Sequence, residues 1–151
     1  MNLENGLQLE RPAVFVPWSA TRDALRQLFP EPGIGRQGLK EVTGHYFVLS
    51  DVLSLGGLCH ELGFHFGIRG RLAELEYFRR SYEDVLGSYT EFQRHLESSF
   101  GPPTRREPGD EGCDRCVWQL TGAEVFHELV DRFGPEEHLR IVRLPRRLML
   151  A

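Results

Sequence analysis

Between residues 58 and 66 apolar and polar positions alternate. Leu58, His60, Leu62, Phe64 and Phe66 fall on one side of an extended chain, and Cys59, Glu61, Gly63 and His65 on the other. The period predicts a strand with one buried face. Gly67 to Gly70 then predict a hairpin connection, and residues 71–79 a return strand with Ala73, Leu75 and Tyr77 on one face. Earlier in the chain, residues 13–17 read as a short strand ended by Pro17, and His45 to Leu49 as another by β-propensity. Between them, Ala24, Leu25, Leu28 and Phe29 form a helical stripe. Ser19 or Thr21 is placed to cap it, and Pro30 and Pro32 stop it.

The second half repeats this order. Tyr82, Val85, Leu86, Tyr89, Phe92, Leu96 and Phe100 follow the spacing of an amphipathic helix. Ser81 with Asp84, or Ser88 with Glu91, has capping-box spacing, Gly87 is a candidate break, and Gly101-Pro102-Pro103 is a stop. Residues 104–114 read as a polar loop. Cys116 to Leu120 read as a strand, Thr121-Gly122 as a tight turn, and 123–133 with 137–144 as a hairpin across Gly134-Pro135. Within this pattern His60-Glu61-Leu62 and Phe66-Gly67 recur as His127-Glu128-Leu129 and Phe133-Gly134. The same register pairs Leu72 with Leu139 and Arg79-Arg80 with Arg146-Arg147. The expectation is therefore a single α+β domain, residues 1–151. It holds a tandem α-β-β-β repeat, in halves of about 12–80 and 81–147, whose antiparallel sheet carries its helices on one face.

Composition narrows the classes. The 151 residues are 40% hydrophobic and 26% charged, as in a globular protein able to bury a core. A net charge of −4 argues against a dedicated nucleic-acid binder or a polybasic membrane anchor. Neither a secretory start nor a run of about 20 apolar residues is present. Three cysteines, an odd number, fit reduced thiols, so the expected compartment is cytoplasmic. Seventeen arginines against the single Lys40 fit either genome composition or a use of forked pairing with carboxylates.

Candidate chemistry is sparse. His60-Glu61 and His65 resemble a zinc signature, but a spacing of five on a strand sends the histidines to opposite faces. Cys113 and Cys116 have Cys-x-x-Cys spacing, yet a strand follows instead of a helix, and no second pair exists. Gly33-Ile34-Gly35-Arg36-Gln37-Gly38 has dinucleotide-loop spacing in inverted context, after a helix and before a strand. No catalytic set, metal site or cofactor is expected. His60 and His127 read as core histidines. The opposite face, carrying Glu61 and His65 in one half and Glu128 and Arg132 in the other, reads as a recognition surface.

These features predict a small cytosolic, bacterial-type interaction module, monomeric or homodimeric, of the immunity or inhibitor kind, with another protein as partner. The layout is similar to that of the inhibitor that binds β-lactamase through its sheet, although this chain lacks that inhibitor's paired cysteines. The alternative is an enzyme or small-ligand protein with a pocket between the halves, built on His60, His127, Glu61 and Glu128.

Overall fold

The computed structural model describes residues 1–30, 38–79 and 83–145. The glycine loop around 31–37, Arg80, Ser81, Tyr82, and the tail with Arg146 and Arg147 lie outside the described residues. The chain is α+β. A two-stranded sheet, β1 (Gly6–Gln8) with β2 (Phe15–Pro17), precedes helix α1 (Arg22–Leu28). The remaining strands are β3 (Lys40–Thr43), β4 (Tyr46–Ser54), β5 (Leu58–Phe66), β6 (Leu72–Phe78), β7 (Arg105–Glu107), β8 (Arg115–Leu120), β9 (Ala123–Asp131) and β10 (Pro135–Arg143). They form one eight-stranded sheet, ordered β3-β4-β5-β6-β10-β9-β8-β7, with every neighbouring pair antiparallel. Helix α2 (Val85–Phe100) sits between the two four-stranded meanders in sequence, and β6 and β10 pair at their junction.

Four strands, not three, follow each helix. The additional members are short edge strands: β3, in a segment to which the sequence pattern assigns no element, and β7, in the segment that reads as a polar loop. All their residues are exposed and most are charged, so they show no apolar alternation. Short charged edges also discourage pairing with other chains. β4 runs to Ser54, well past Leu49, because a bulge between Leu49 and Val52 absorbs the polar Ser50-Asp51 step. β2 lies within the short strand expected at 13–17, while its partner β1 is a further element that the opening residues did not announce.

Periodicity located the core correctly. Leu58, His60, Leu62, Phe64 and Phe66 are all buried, as are Leu75, Tyr77, Leu139, Ile141, Val125, His127 and Leu129 on the neighbouring strands. Both helices cover this inner face. Phe29, ending α1, packs on Phe64 with ring centroids 6.1 Å apart, and Phe92 of α2 packs on His127. The two tryptophans bury their rings and satisfy their donors: Trp18 Nε1 donates to Leu3 O at 2.8 Å, and Trp118 Nε1 to Gly101 O at 2.9 Å.

The helix ends follow from local chemistry. Thr21 caps α1 through the Ala24 N–H, and Asp84 caps α2 through the Gly87 N–H. Gly87 is therefore not a break. A Cβ there would lie 2.2 Å from Asp84 Oδ2, so glycine makes room for the capping carboxylate. In the β8–β9 turn, Gly122 has φ +82°, and its Cα lies against the Glu4 backbone where a Cβ would not fit.

Candidate functional site

Register assigns the side chains of the other sheet face. On the two central strands these are Glu74, Glu76 and Phe78 of β6 and Glu136, His138, Arg140 and Val142 of β10. β5 contributes Glu61, Gly63 and His65, and β9 contributes Glu124, Phe126 and Glu128. Among the described residues neither helix packs on this face.

Of the four residues expected to form a recognition surface, three lie on this outer sheet face. His65 Nε2 is 2.9 Å from Glu76 Oε2, and its ring stacks on Tyr46 at 4.4 Å. The Tyr46 ring lies over Gly63, where a Cβ would come within 2.8 Å of it. Glycine therefore permits the flat Tyr46–His65 pair. Glu61 is half-buried opposite Phe78. Glu128 is paired with Arg115, Nε to Oε2, at 3.3 Å. Arg132 is not on the face: β9 ends at Asp131, and Arg132 lies exposed in the turn to β10. The two pairs are not brought together either. β6 and β10 separate β5 from β9, a gap of roughly 14 Å at about 4.8 Å per strand.

The intervening residues join them into one surface. Arg140 Nη1 reaches Glu74 Oε1 at 3.3 Å, and its guanidinium lies 5.6 Å from the Phe126 ring centroid. His138 Nε2 is 3.5 Å from Glu136 Oε2. The hydrogen bond from His65 holds the Glu76 carboxyl below the usual carboxylate range, and the His65, His138 and Arg140 charges add to this against partial burial. Burial, then the Glu76 charge, push the Tyr46 hydroxyl up. The four central strands carry six carboxylates (Glu61, Glu74, Glu76, Glu124, Glu128, Glu136) and Arg140 on this side, and the neighbouring β8 adds Arg115 beside Glu128. Toward the β7 edge the surface dips into a shallow groove of about 160 Å³ over Val117 and Phe126, flanked by Arg105, Glu107, Arg115 and Glu128. The alternation in 72–78 and 137–143 carried the signal for the central residues, since Glu74, Glu76, His138 and Arg140 fall between buried Leu75, Tyr77, Leu139 and Ile141.

The histidines at equivalent positions of the repeated motif are both inside, with different partners. His60 Nδ1 donates to Glu61 O at 2.9 Å. Its Nε2 lies 2.7 Å from the Ser54 hydroxyl, which is 3.1 Å from the Tyr77 hydroxyl. The Tyr77 ring stacks on it at 4.0 Å. Burial dominates, and lowers the His60 pKa to about 4. His127 lies against Gln93 and Glu137, under the Tyr89 ring at 4.3 Å.

Cys113 is half-buried and Cys116 buried on the inner face. Both are free thiols, pushed up chiefly by desolvation, and so far from the thiolate form that redox or nucleophilic work needs. Among the described residues no three His, Cys, Asp or Glu side chains are grouped to hold a metal ion. Nor is any described helix long and apolar enough to cross a membrane.

No protein-family model matches the chain, and no curated protein matches it significantly. Among solved structures it is similar to a DUF4309 family protein, YjgB, from Bacillus subtilis. The TM-score is 0.44 and the identity 17%, over 83% of this chain and 79% of that one.

Proposed function

We propose that the chain is a cytosolic protein-interaction module, of the immunity or inhibitor kind, that holds a basic protein partner on the outer face of its eight-stranded sheet. The carrying observation is the makeup of that face. An acidic strip of six carboxylates is set among rigid anchors, the stacked Tyr46–His65 pair and Arg140 over Phe126. Aromatic and arginine side chains with restricted freedom are the usual anchors of protein interfaces, and a one-sided charge selects and orients a partner of opposite sign. Three free cysteines support a reducing compartment. The repeated order of helix and strands, with the matched His-Glu-Leu and Phe-Gly segments, supports a further proposal, that one unit was used twice.

A catalytic pocket between the halves finds less support. His60 and His127 are buried with both ring nitrogens engaged, and the groove lies toward the β7 edge. The test is affinity capture followed by titration of the purified partner against three variants. Glu74→Arg and Glu128→Arg should each weaken binding by about tenfold or more, with affinity falling as salt rises, while Glu83→Arg, an equal charge change in the turn before α2, should leave it unchanged. Equal binding by all three would overturn the reading.

A further inference from the structure

Three arginines of this chain are held in one way, over an aromatic ring and against a carboxylate. Arg26 has its guanidinium carbon 5.3 Å from the Phe47 ring centroid and its Nη2 3.3 Å from Glu41 Oε2. Arg79 lies 4.7 Å from the Phe92 centroid, with Nη2 3.0 Å from Glu91 Oε1. Arg140 lies 5.6 Å from the Phe126 centroid, with Nη1 3.3 Å from Glu74 Oε1. A guanidinium suits this double contact. Its weakly hydrated plane spreads on a ring while the N–H groups at its rim fork to a carboxylate. An ammonium is a compact, strongly hydrated point charge.

The outer face offers the ring and the carboxylate once more, at Tyr46 and Glu76. His65 covers one face of the Tyr46 ring, at 4.4 Å. On the other side the register neighbours are Val48 and Gly63, too small to cover a ring, and Tyr46 remains partly exposed. The ring extends over Gly63, which leaves room for it, and Glu76 stands directly across from Gly63 on β6. The Glu76 charge reaches the Tyr46 hydroxyl. His65 Nε2 holds Glu76 Oε2 at 2.9 Å, which leaves Oε1 to accept from another donor. The chain itself does not supply that donor. Arg140 is opposite Glu76 on β10, but its guanidinium is committed to Glu74 and Phe126. Lys40, on β3 opposite Val48, stands three strand spacings from Glu76, roughly 14 Å at about 4.8 Å each. Among the described residues no arginine or lysine lies over the Tyr46 ring or pairs with Glu76.

We propose that Tyr46 and Glu76 form an arginine subsite, which the protein partner fills with an arginine side chain, completing the ring-and-carboxylate arrangement that Arg26, Arg79 and Arg140 complete internally. This rests on the outer sheet face being the interface, and narrows the partner from a basic protein to one that presents arginine there. The incoming guanidinium lies on the uncovered face of Tyr46 and donates to Glu76 Oε1. Glu74 and Glu61, the next outer residues along β6 and β5, add attraction for any cation. Attraction alone does not separate arginine from lysine; the ring does.

The test uses two short blocked peptides, alternating glycine with arginine in one and with lysine in the other, so that charge and length match. Each is titrated into the isotope-labelled full chain and followed by NMR. The arginine peptide should shift the Tyr46 and His65 rings and the Gly63 and Glu76 amides, and bind about two- to fivefold tighter than the lysine peptide. Tyr46→Leu should erase that preference while leaving the weaker lysine binding in place, and Glu76→Gln should weaken both peptides. Should a variant fail to fold, the wild-type comparison and its shift map decide. No binding, equal affinity for the two peptides, a preference that survives Tyr46→Leu, or shifts that fall away from Tyr46 and Glu76 would each overturn the subsite. None of these measurements needs the captured partner. A partner indifferent to Glu74→Arg and Glu128→Arg would count against the interface reading instead, so the two failures are told apart.

Discussion

Acidification should cost this protein stability through His60. The ring is buried, stacked on Tyr77, and hydrogen-bonded at both nitrogens in a site where burial makes a charge costly. Its pKa is 6.5 in the open chain and about 4 in the fold, chiefly from desolvation. A depressed pKa means that the unfolded chain takes up the proton first. The contribution is fully present above 6.5, shrinks as pH falls through the window, and is gone below about 4. At about 1.4 kcal/mol per pH unit the displacement amounts to about 3 kcal/mol, a large part of the roughly 5–15 kcal/mol of a typical domain. Glu76 and Glu91, held low by His65 and Arg79, also lose stabilising interactions on acidification. The measurement must therefore be a difference. Urea unfolding followed by the fluorescence of buried Trp18 and Trp118 should be run on the wild type and His60→Gln at several pH values. The wild type should be the more stable at pH 7, and its lead should shrink by about 3 kcal/mol by pH 4. A lead that stays constant, or grows on acidification, would refute the claim that His60 is kept neutral.

Gly63→Ala should push the Tyr46 ring off its seat and cost about 1 kcal/mol; combined with Tyr46→Ala the two effects should be clearly non-additive in urea unfolding. Phe92→Ala removes a fully buried ring that packs against His127 and stacks under Arg79, and should cost about 3–5 kcal/mol, read as a lower urea midpoint. Alkylation followed by mass spectrometry should label exposed Cys59 first, with buried Cys116 protected until the protein unfolds. Arg106→Ala breaks contacts to Glu97 and Asp114 and should speed amide exchange in Arg105–Glu107 while shifting the overall unfolding midpoint by less than about 1 kcal/mol.

Much of the fold was legible wherever one side of an element meets the core. The alternation through Leu58–Phe66 identified its buried face residue by residue, and the helical stripe ending at Phe100 located α2. What escaped the sequence lacked that contrast. β3 and β7 are exposed on both faces, so nothing in their pattern separates them from loop. The site was half legible for a related reason. Period two assigned Glu61, His65 and Glu128 to the outer face, but it carries no information on strand order. Only the β6–β10 pairing places Glu74, Glu76, His138 and Arg140 between them. Arg132 was misplaced because Asp131 ends the strand two residues earlier than its apolar pattern, through Phe133, suggested. The separate fates of His60 and His127 were invisible as well, since they depend on Ser54, Gln93 and Glu137, which come from elsewhere in the chain.

Hydroxyl-radical footprinting of the chain alone and in complex with its captured protein partner tests the central claim most directly, because it reads side chains face by face. Tyr46, His65, Phe126 and His138 should lose reactivity on binding, while Ile68, Phe133 and Leu86, exposed at the hairpin tips and on α2, should keep theirs. Protection of Ile68, Phe133 or Leu86, with the outer sheet face still fully reactive, would contradict it.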